Sequence, residues 1–383
     1  MKKLALLLPA MRVGGAEKIA INFLKDLTKY YEVTLILNKK EGELLKLVPQ
    51  SIEILEDRLL SFTEVLKQDL KGFKIGKLLK DAIYYFNVKF KRAKERNYRY
   101  LVSRTPSVNR HYDVAIGYVA NVSTQIFCLA DRINADKKVA WIHGETTELK
   151  DVRLYQGCYK SFDKIFAVSE VTRRHFVERF PSCESLTSVY YNPINVNEIL
   201  ERSKDCCGDE IKQDALTVVS VGRVTPEKGF DMLPTIVSIL KDRGLRLQWY
   251  LVGDGSELDS IKRKAQEMGL SNDIIFTGTK ENPYPYVRQC DIYVQPSYEE
   301  GYSTTICEAG ILGKAVIGTT TSGGIREQVV AGESALLASP TPEDIANKIE
   351  YLAKNPQEKQ RLEENIKKID FSHTNEIYKL LNI

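Results

Sequence analysis

Residues 292–318 begin Ile292-Tyr293-Val294, turn at Gln295-Pro296-Ser297, and continue Tyr298-Glu299-Glu300-Gly301-Tyr302-Ser303-Thr304-Thr305-Ile306-Cys307-Glu308-Ala309-Gly310. They end in a second apolar run, Ala315–Gly318. A short apolar run, a turn, a helical stretch with Ser303 as its expected cap, and another apolar run make one strand–helix–strand unit of a parallel sheet. The first amides of such a helix lack intrahelical acceptors, so an anion can sit there. Glu300 lies just before the helix and Glu308 about two turns along it. That spacing is too long to grip one atom. It suits two ends of an elongated ligand, and carboxylates beside an anion call for hydroxyl partners. Sugar hydroxyls, a diphosphate and ribose hydroxyls, in that order, would satisfy the arrangement.

Outward from this unit the same alternation recurs twice. Leu4–Leu8, Glu32–Leu37, Val114–Gly117, Lys138–Ile142 and Lys164–Val168 read as strands of a first parallel sheet, with helical periodicity over Ala16–Tyr30. Thr217–Val221, Gln248–Val252, Ile274–Phe276, Ile292–Val294 and Ala315–Gly318 read as strands of a second. Helical character falls over Thr225–Arg243, Gly255–Met268 and Glu308–Gly313. Two βα series in 383 residues imply an α/β chain of two doubly wound, Rossmann-like domains. The expected domains are residues 1–195 and 196–369. In such folds ligands gather at the carboxyl ends of the strands, so a cleft between the domains is the expected site.

Composition sets bounds. Hydrophobic residues make up 43% of the chain and charged ones 28%, as in an ordinary globular protein. The net charge of +4 is too small to argue for nucleic acid. The seven cysteines are irregularly spaced with no Cys-x-x-Cys pair, which favours free thiols over disulfides or zinc. The apolar run Leu4–Ala10 is short for a signal peptide and reads as a buried strand. No run approaches the ~18 residues of a membrane span. Residues 67–104 carry twelve Lys and Arg against three acids, with Leu70, Phe73, Leu78 and Phe86 among the charges. They read as a basic amphipathic insertion, either a solvated helical face or a surface for anionic membrane.

The central stretch resembles a known pattern. Glu300, seven residues and Glu308, followed by Ala309-Gly310, Gly313-Lys314-Ala315-Val316-Ile317-Gly318 and Gly323-Gly324, is similar to the signature of the GT4 family, retaining glycosyltransferases of GT-B fold. Ser220-Val221-Gly222-Arg223-Val224-Thr225-Pro226-Glu227-Lys228-Gly229 resembles that family's phosphate-facing loop, and Trp141-Ile142-His143 its Trp-x-His element. The resemblance implies two facing Rossmann-like domains and transfer of a hexose or N-acetylhexosamine from a nucleotide sugar, UDP-linked by preference. Glu300 would contact donor-sugar hydroxyls and Glu308 the ribose. The amides near Ser303, Thr304 and Thr305 would meet the distal phosphate. Arg223 and Lys228 would neutralise the leaving diphosphate. His143 would position and stabilise the sugar without forming a covalent bond. Catalytic roles thus fall on His143, Arg223, Lys228 and Glu300. Gly14, Gly15, Glu17, Glu145, Gly222, Thr279, Glu299, Gly301 and Tyr302 are the further expected substrate contacts.

The chain departs from the common Phe-Gly by having Tyr302-Ser303, which bears on sugar identity. No Asp-x-Asp triplet occurs, so the expectation is a reaction without metal or cofactor. The expected acceptor is a saccharide, lipid-linked given the basic insertion, in capsule or other surface-polysaccharide synthesis at the cytoplasmic face of the membrane. No nucleic-acid partner is expected. A final helix, 370–383, is expected to pack back on the first domain. The alternatives are a nucleotide-sugar 2-epimerase of the same fold and a non-catalytic glycosyltransferase-like subunit.

Overall fold

The computed structural model describes all residues except 13, 62, 66, 68–83, 85–93, 145, 148, 208–210, 212–214, 322 and 374–383. The chain divides between Tyr191 and Asn192 into two compact units. In the first, strands β1 (Lys2–Leu8), β2 (Tyr31–Leu37), β3 (Glu53–Glu56), β4 (His111–Gly117), β5 (Asn134–Ile142), β6 (Lys164–Ala167) and β7 (Thr187–Val189) form one sheet. Their order is β3-β2-β1-β4-β5-β6-β7, and every pairing is parallel. Leu4, Ala5, Leu6 and Leu8 are fully buried in β1. A parallel sheet covered by helices on both faces needs such unbroken apolar strands. The N-terminal run is therefore a central strand, as its apolarity suggested.

The second unit repeats the plan with β8 (Leu216–Val221), β9 (Leu247–Val252), β10 (Ile274–Gly278), β11 (Ile292–Val294), β12 (Ala315–Thr319) and β13 (Leu336–Ala338), ordered β10-β9-β8-β11-β12-β13. Alternate residues feed two cores. Val218, Ile292, Val294, Ala315 and Ile317 pack on one face, and Val219, Tyr293 and Val316 on the other. In both sheets the winding reverses beside the first strand of the unit, between β1 and β4 and between β8 and β11. At such a reversal the loops leaving the two strands diverge and open a crevice for ligand.

Three strands were not legible in the sequence: β3, β7 and β13, each of three or four residues and each at a sheet edge. They lack the continuous burial of the similarly short β6 and β11. The helical character expected over Thr225–Arg243 resolves into three pieces. Two short 3₁₀ turns, Pro226–Lys228 and Phe230–Met232, precede a helix that starts only at Leu233. Between the turns Gly229 adopts φ +67, and a Cβ there would lie 2.2 Å from the Pro296 carbonyl oxygen. Gly229 lets the loop after β8 press against the loop after β11.

Of the basic segment 67–104, only Lys67, Tyr84 and helix Lys94–Arg104 fall among the described residues. In that helix Arg99 makes two 2.8 Å bonds to Asp131, and Arg96 pairs with Asp151 at 3.0 Å. Some of the segment's charge is thus spent within the unit. Residues 374–383 of the expected final helix lie outside the described residues, and residues 370–373 before them are not helical. No described helix is long and apolar enough to cross a membrane. No disulfide joins any of the seven cysteines.

Candidate functional site

The second unit places Arg223, Lys228 and Glu300 on the two loops that flank its winding reversal. Trp249 Nε1 donates to Ser220 Oγ (3.0 Å), which donates to the Val294 carbonyl (2.6 Å), locking β8 to β11 just before those loops. The amide of Tyr298 then donates to the Glu227 carbonyl at 2.9 Å. These bonds and the Gly229–Pro296 contact bring Lys228 over Glu300. Lys228 Nζ lies 2.7 Å from Glu300 Oε1, with the carboxylate side chain 8% exposed and the lysine 22%. Ser297 Oγ donates to the same oxygen at 2.8 Å. Glu300 Oε1 is therefore doubly occupied, while Oε2 takes no hydrogen bond from the described residues. Oε2 is the oxygen left to receive a ligand hydroxyl. Arg223 is exposed, without a side-chain partner among the described residues.

Behind the pair runs a buried polar chain. Ser297 Oγ accepts from Gln295 Nε2 (2.9 Å), and Gln295 Oε1 accepts from Tyr293 OH (2.9 Å) and Thr305 Oγ1 (3.1 Å). Gln295 and Ser297 are 1% and 0% exposed. The carboxylate before the helix is thus joined to the helix's own first turn.

The helix itself is Thr304–Ile311. Ser303 occupies the N-cap position, but its side chain caps nothing; it meets Thr305 Oγ1 at 3.2 Å instead. The expectation of a serine cap is corrected in that respect. Gln328, the last residue of helix Gly323–Gln328, holds this point of the backbone. Its Oε1 accepts from Ser303 N at 3.0 Å, and its Nε2 donates to Ser303 O at 2.7 Å and meets Cys307 Sγ at 2.9 Å. At the start of that helix Gly324 N donates to the Glu300 carbonyl at 3.1 Å. A Cβ on Gly324 would stand 2.4 Å from Gly301 O, so no other residue fits. The amides of Thr304, Thr305 and Ile306 remain as first-turn donors. Glu308 is buried on the helix and accepts from Tyr284 OH at 3.3 Å, while the Arg202 guanidinium lies over the Tyr284 ring. Burial raises the Tyr284 hydroxyl far above its ordinary range, so it donates. Burial likewise pushes the Cys307 thiol up to about 12, which keeps it unreactive.

The other expected residues of this unit lie as follows. Glu299 is exposed, beside Glu300 on the outer side of the loop. Gly301 and Thr304 are half-buried. Tyr302 OH meets His373 Nε2 at 2.6 Å. Thr279 is exposed just past β10. Gly222 closes β8, where a Cβ would meet the Phe230 ring at an ordinary 3.5 Å.

In the first unit, Gly14 is the N-cap of helix Gly15–Leu27, in extended conformation, and Glu17 lies in the first turn. They follow β1, on one side of that unit's winding reversal. His143 follows β5. Its ring packs on Tyr118 (4.5 Å between centroids) and Trp141 (5.3 Å). His143 Nε2 is shut off from solvent with no partner among the described residues, as are Tyr118 OH, Trp141 Nε1 and Asn121 Oδ1. Burial lowers the imidazole's pKa to about 3, so it is neutral at pH 7. Glu145 lies outside the described residues. Among the described residues no three His, Cys, Asp or Glu side chains are grouped to hold a metal ion.

Sequence reasoning read Gln295-Pro296-Ser297 only as a turn, and it passed over Gln328. One signal was available: a glutamine directly after the apolar run Ile292–Val294 continues a buried strand with a polar group that must find partners.

Two parallel Rossmann-like units, the second with carboxylates on either side of an open helix N-terminus and cations beside it, define a GT-B glycosyltransferase architecture. Residues 208–369 match the family of glycosyl transferases group 1. The second unit carries that family's match, and the chain is similar to bacterial polysaccharide glycosyltransferases. EpsF of Bacillus subtilis, named a glycosyltransferase, is 34% identical over 122 residues, 32% of this chain and 31% of EpsF. A Campylobacter jejuni N-acetylgalactosamine-N,N'-diacetylbacillosaminyl-diphospho-undecaprenol 4-alpha-N-acetylgalactosaminyltransferase is 23% identical over 339 residues, 88% of this chain and 86% of that enzyme. The crystal structure of Anabaena HepE in complex with UDP-glucose covers all of both chains with a TM-score of 0.73 at 18% identity. That likeness establishes the GT-B fold.

Proposed function

We propose that the protein transfers a hexose or N-acetylhexosamine from a nucleotide sugar, UDP-linked by preference, to a saccharide acceptor. The observation that carries this reading is the pairing of Glu300 and Glu308 with the helix start at Thr304. One carboxylate oxygen, Glu300 Oε2, is left for a hydroxyl. Glu308 is held by Tyr284. Between them stand amides suited to a diphosphate. The Arg223 and Lys228 loop supplies positive charge where the leaving diphosphate gains negative charge. Those two cations support a reaction that needs no metal. A neutral His143 supports a positioning role for that side chain rather than a cationic one.

The stereochemical course proposed is retention, by attack from the face the leaving group vacates. No side chain among the described residues of the second unit's site stands out as a nucleophile. The leaving phosphate oxygen would take the acceptor's proton as the new glycosidic bond forms. The acceptor proposed is lipid-linked, with the enzyme at the cytoplasmic face of the membrane in surface-polysaccharide synthesis. The basic composition of residues 67–104 supports it, as does the undecaprenol diphosphate acceptor in the Campylobacter enzyme's name.

The test is a panel of UDP-, GDP- and ADP-sugars scored for nucleotide release with and without lipid-linked acceptors. Acceptor-dependent release, with product of unchanged anomeric configuration by NMR, is the expected outcome. Inverted product would remove the retaining course. Conversion of the donor to its 2-epimer without acceptor would replace the transferase reading.

A further inference from the structure

We propose that Gln328 is a positioning residue for the diphosphate, acting as the N-cap that helix Thr304–Ile311 lacks. The inference rests on the donor-site reading above. Its basis is that no side chain of the N-cap residue itself closes the helix. The cap is the place where a helix start is fixed in direction, and a loose cap lets the first-turn amides wander. Here a buried amide from 25 residues later does that work. It binds both backbone groups of one residue, accepting from Ser303 N and donating to Ser303 O. The backbone decides which way the amide faces, because Ser303 N can only donate and Ser303 O only accept. The Gln328 side chain is 5% exposed, so solvent does not compete for these bonds.

The helix that carries Gln328 spans the whole approach to the seat. Its first turn takes the Glu300 carbonyl through Gly324 N, and its last residue takes Ser303. The four residues Glu300–Ser303 are thereby pinned at both ends along one short helix. The sugar-facing carboxylate and the phosphate-facing amides cannot shift relative to each other without breaking one end. A neutral amide is also the right chemistry for this place. A carboxylate would accept from Ser303 N but repel Ser303 O, and it would set a negative charge behind an anion site.

That difference supplies the test. UDP, GDP and ADP are titrated calorimetrically into the full chain, and the tightest is carried forward with its parent nucleoside. The variants are Gln328→Glu and Gln328→Met, with circular dichroism and melting curves to report folding. At about pH 8.5, Gln328→Glu is expected to bind the nucleoside diphosphate about tenfold or more weakly than wild type, with the nucleoside within about twofold. Burial at this position raises an introduced carboxyl, so at about pH 5.5 it is protonated and again has one donor and one acceptor, and the affinity ratio to wild type should return toward one. Gln328→Met should weaken the diphosphate at both pH values without recovery. Diphosphate and nucleoside weakened by the same factor, or no change in Gln328→Glu with pH, would overturn the assignment. A wild type that binds none of the three nucleotides would overturn the donor reading and this assignment with it.

Discussion

Replacing Lys228 by Met removes one half of the ion pair while leaving the other shielded, and this asymmetry can be measured. Glu300 is 8% exposed and Lys228 22%. At 2.7 Å the bare attraction is about 6 kcal/mol at an effective dielectric of about 20. Most of that is offset by the water both groups have lost. Breaking a fully buried pair costs about 3–5 kcal/mol and an exposed one about 0–1, so this half-buried pair should cost about 2 kcal/mol. For a unit of this size that is a fall in Tm of about 4–8 °C for the second unit's transition. Glu300→Gln should cost less, about 1 kcal/mol, because Lys228 can turn to water and the amide oxygen still accepts from Ser297. The double variant should be less destabilised than the sum of the singles by about 1 kcal/mol. Calorimetric melts of the four proteins, at low and high salt, supply the cycle. Lys228→Met melting within a degree of wild type, or simple additivity, would refute the shielded pair.

Three further outcomes are expected. The folded pKa of His143 lies near 3, below the unfolded value near 6.5, so between those values the unfolded chain holds the extra proton. Stability therefore falls as pH drops through that window, by up to about 2 kcal/mol between about pH 6.5 and 5. Urea unfolding of His143→Gln, which cannot take the proton, should show a shallower decline; an identical pH profile would contradict the burial argument. Gly324→Ala should cost about 2–4 kcal/mol and abolish donor binding, since its Cβ falls 2.4 Å from Gly301 O and 2.6 Å from Glu300 O. Gly222→Ala, whose Cβ meets only the Phe230 ring at 3.5 Å, should melt within about 1 °C of wild type.

Local pattern alone determined the class of the fold. Strands buried on both faces must be nearly continuous apolar runs, so β1, β8, β9 and β12 stand out of the sequence with their ends within a residue or two. The Glu300-to-Glu308 interval was legible for a related reason: both carboxylates belong to one loop-and-helix segment, and their spacing is a property of the chain itself. What tertiary structure decided is everything that joins distant segments. Lys228 and Glu300 are 72 residues apart, and only the winding reversal beside β8 sets their loops face to face. Gln328 caps a helix that begins at Thr304, and Tyr284 holds Glu308 from a different turn. A glutamine or tyrosine carries no sign in the sequence of which backbone or carboxylate it will meet. Those partners exist because buried polar groups must be satisfied, and which group satisfies which is fixed only when the strands are in order.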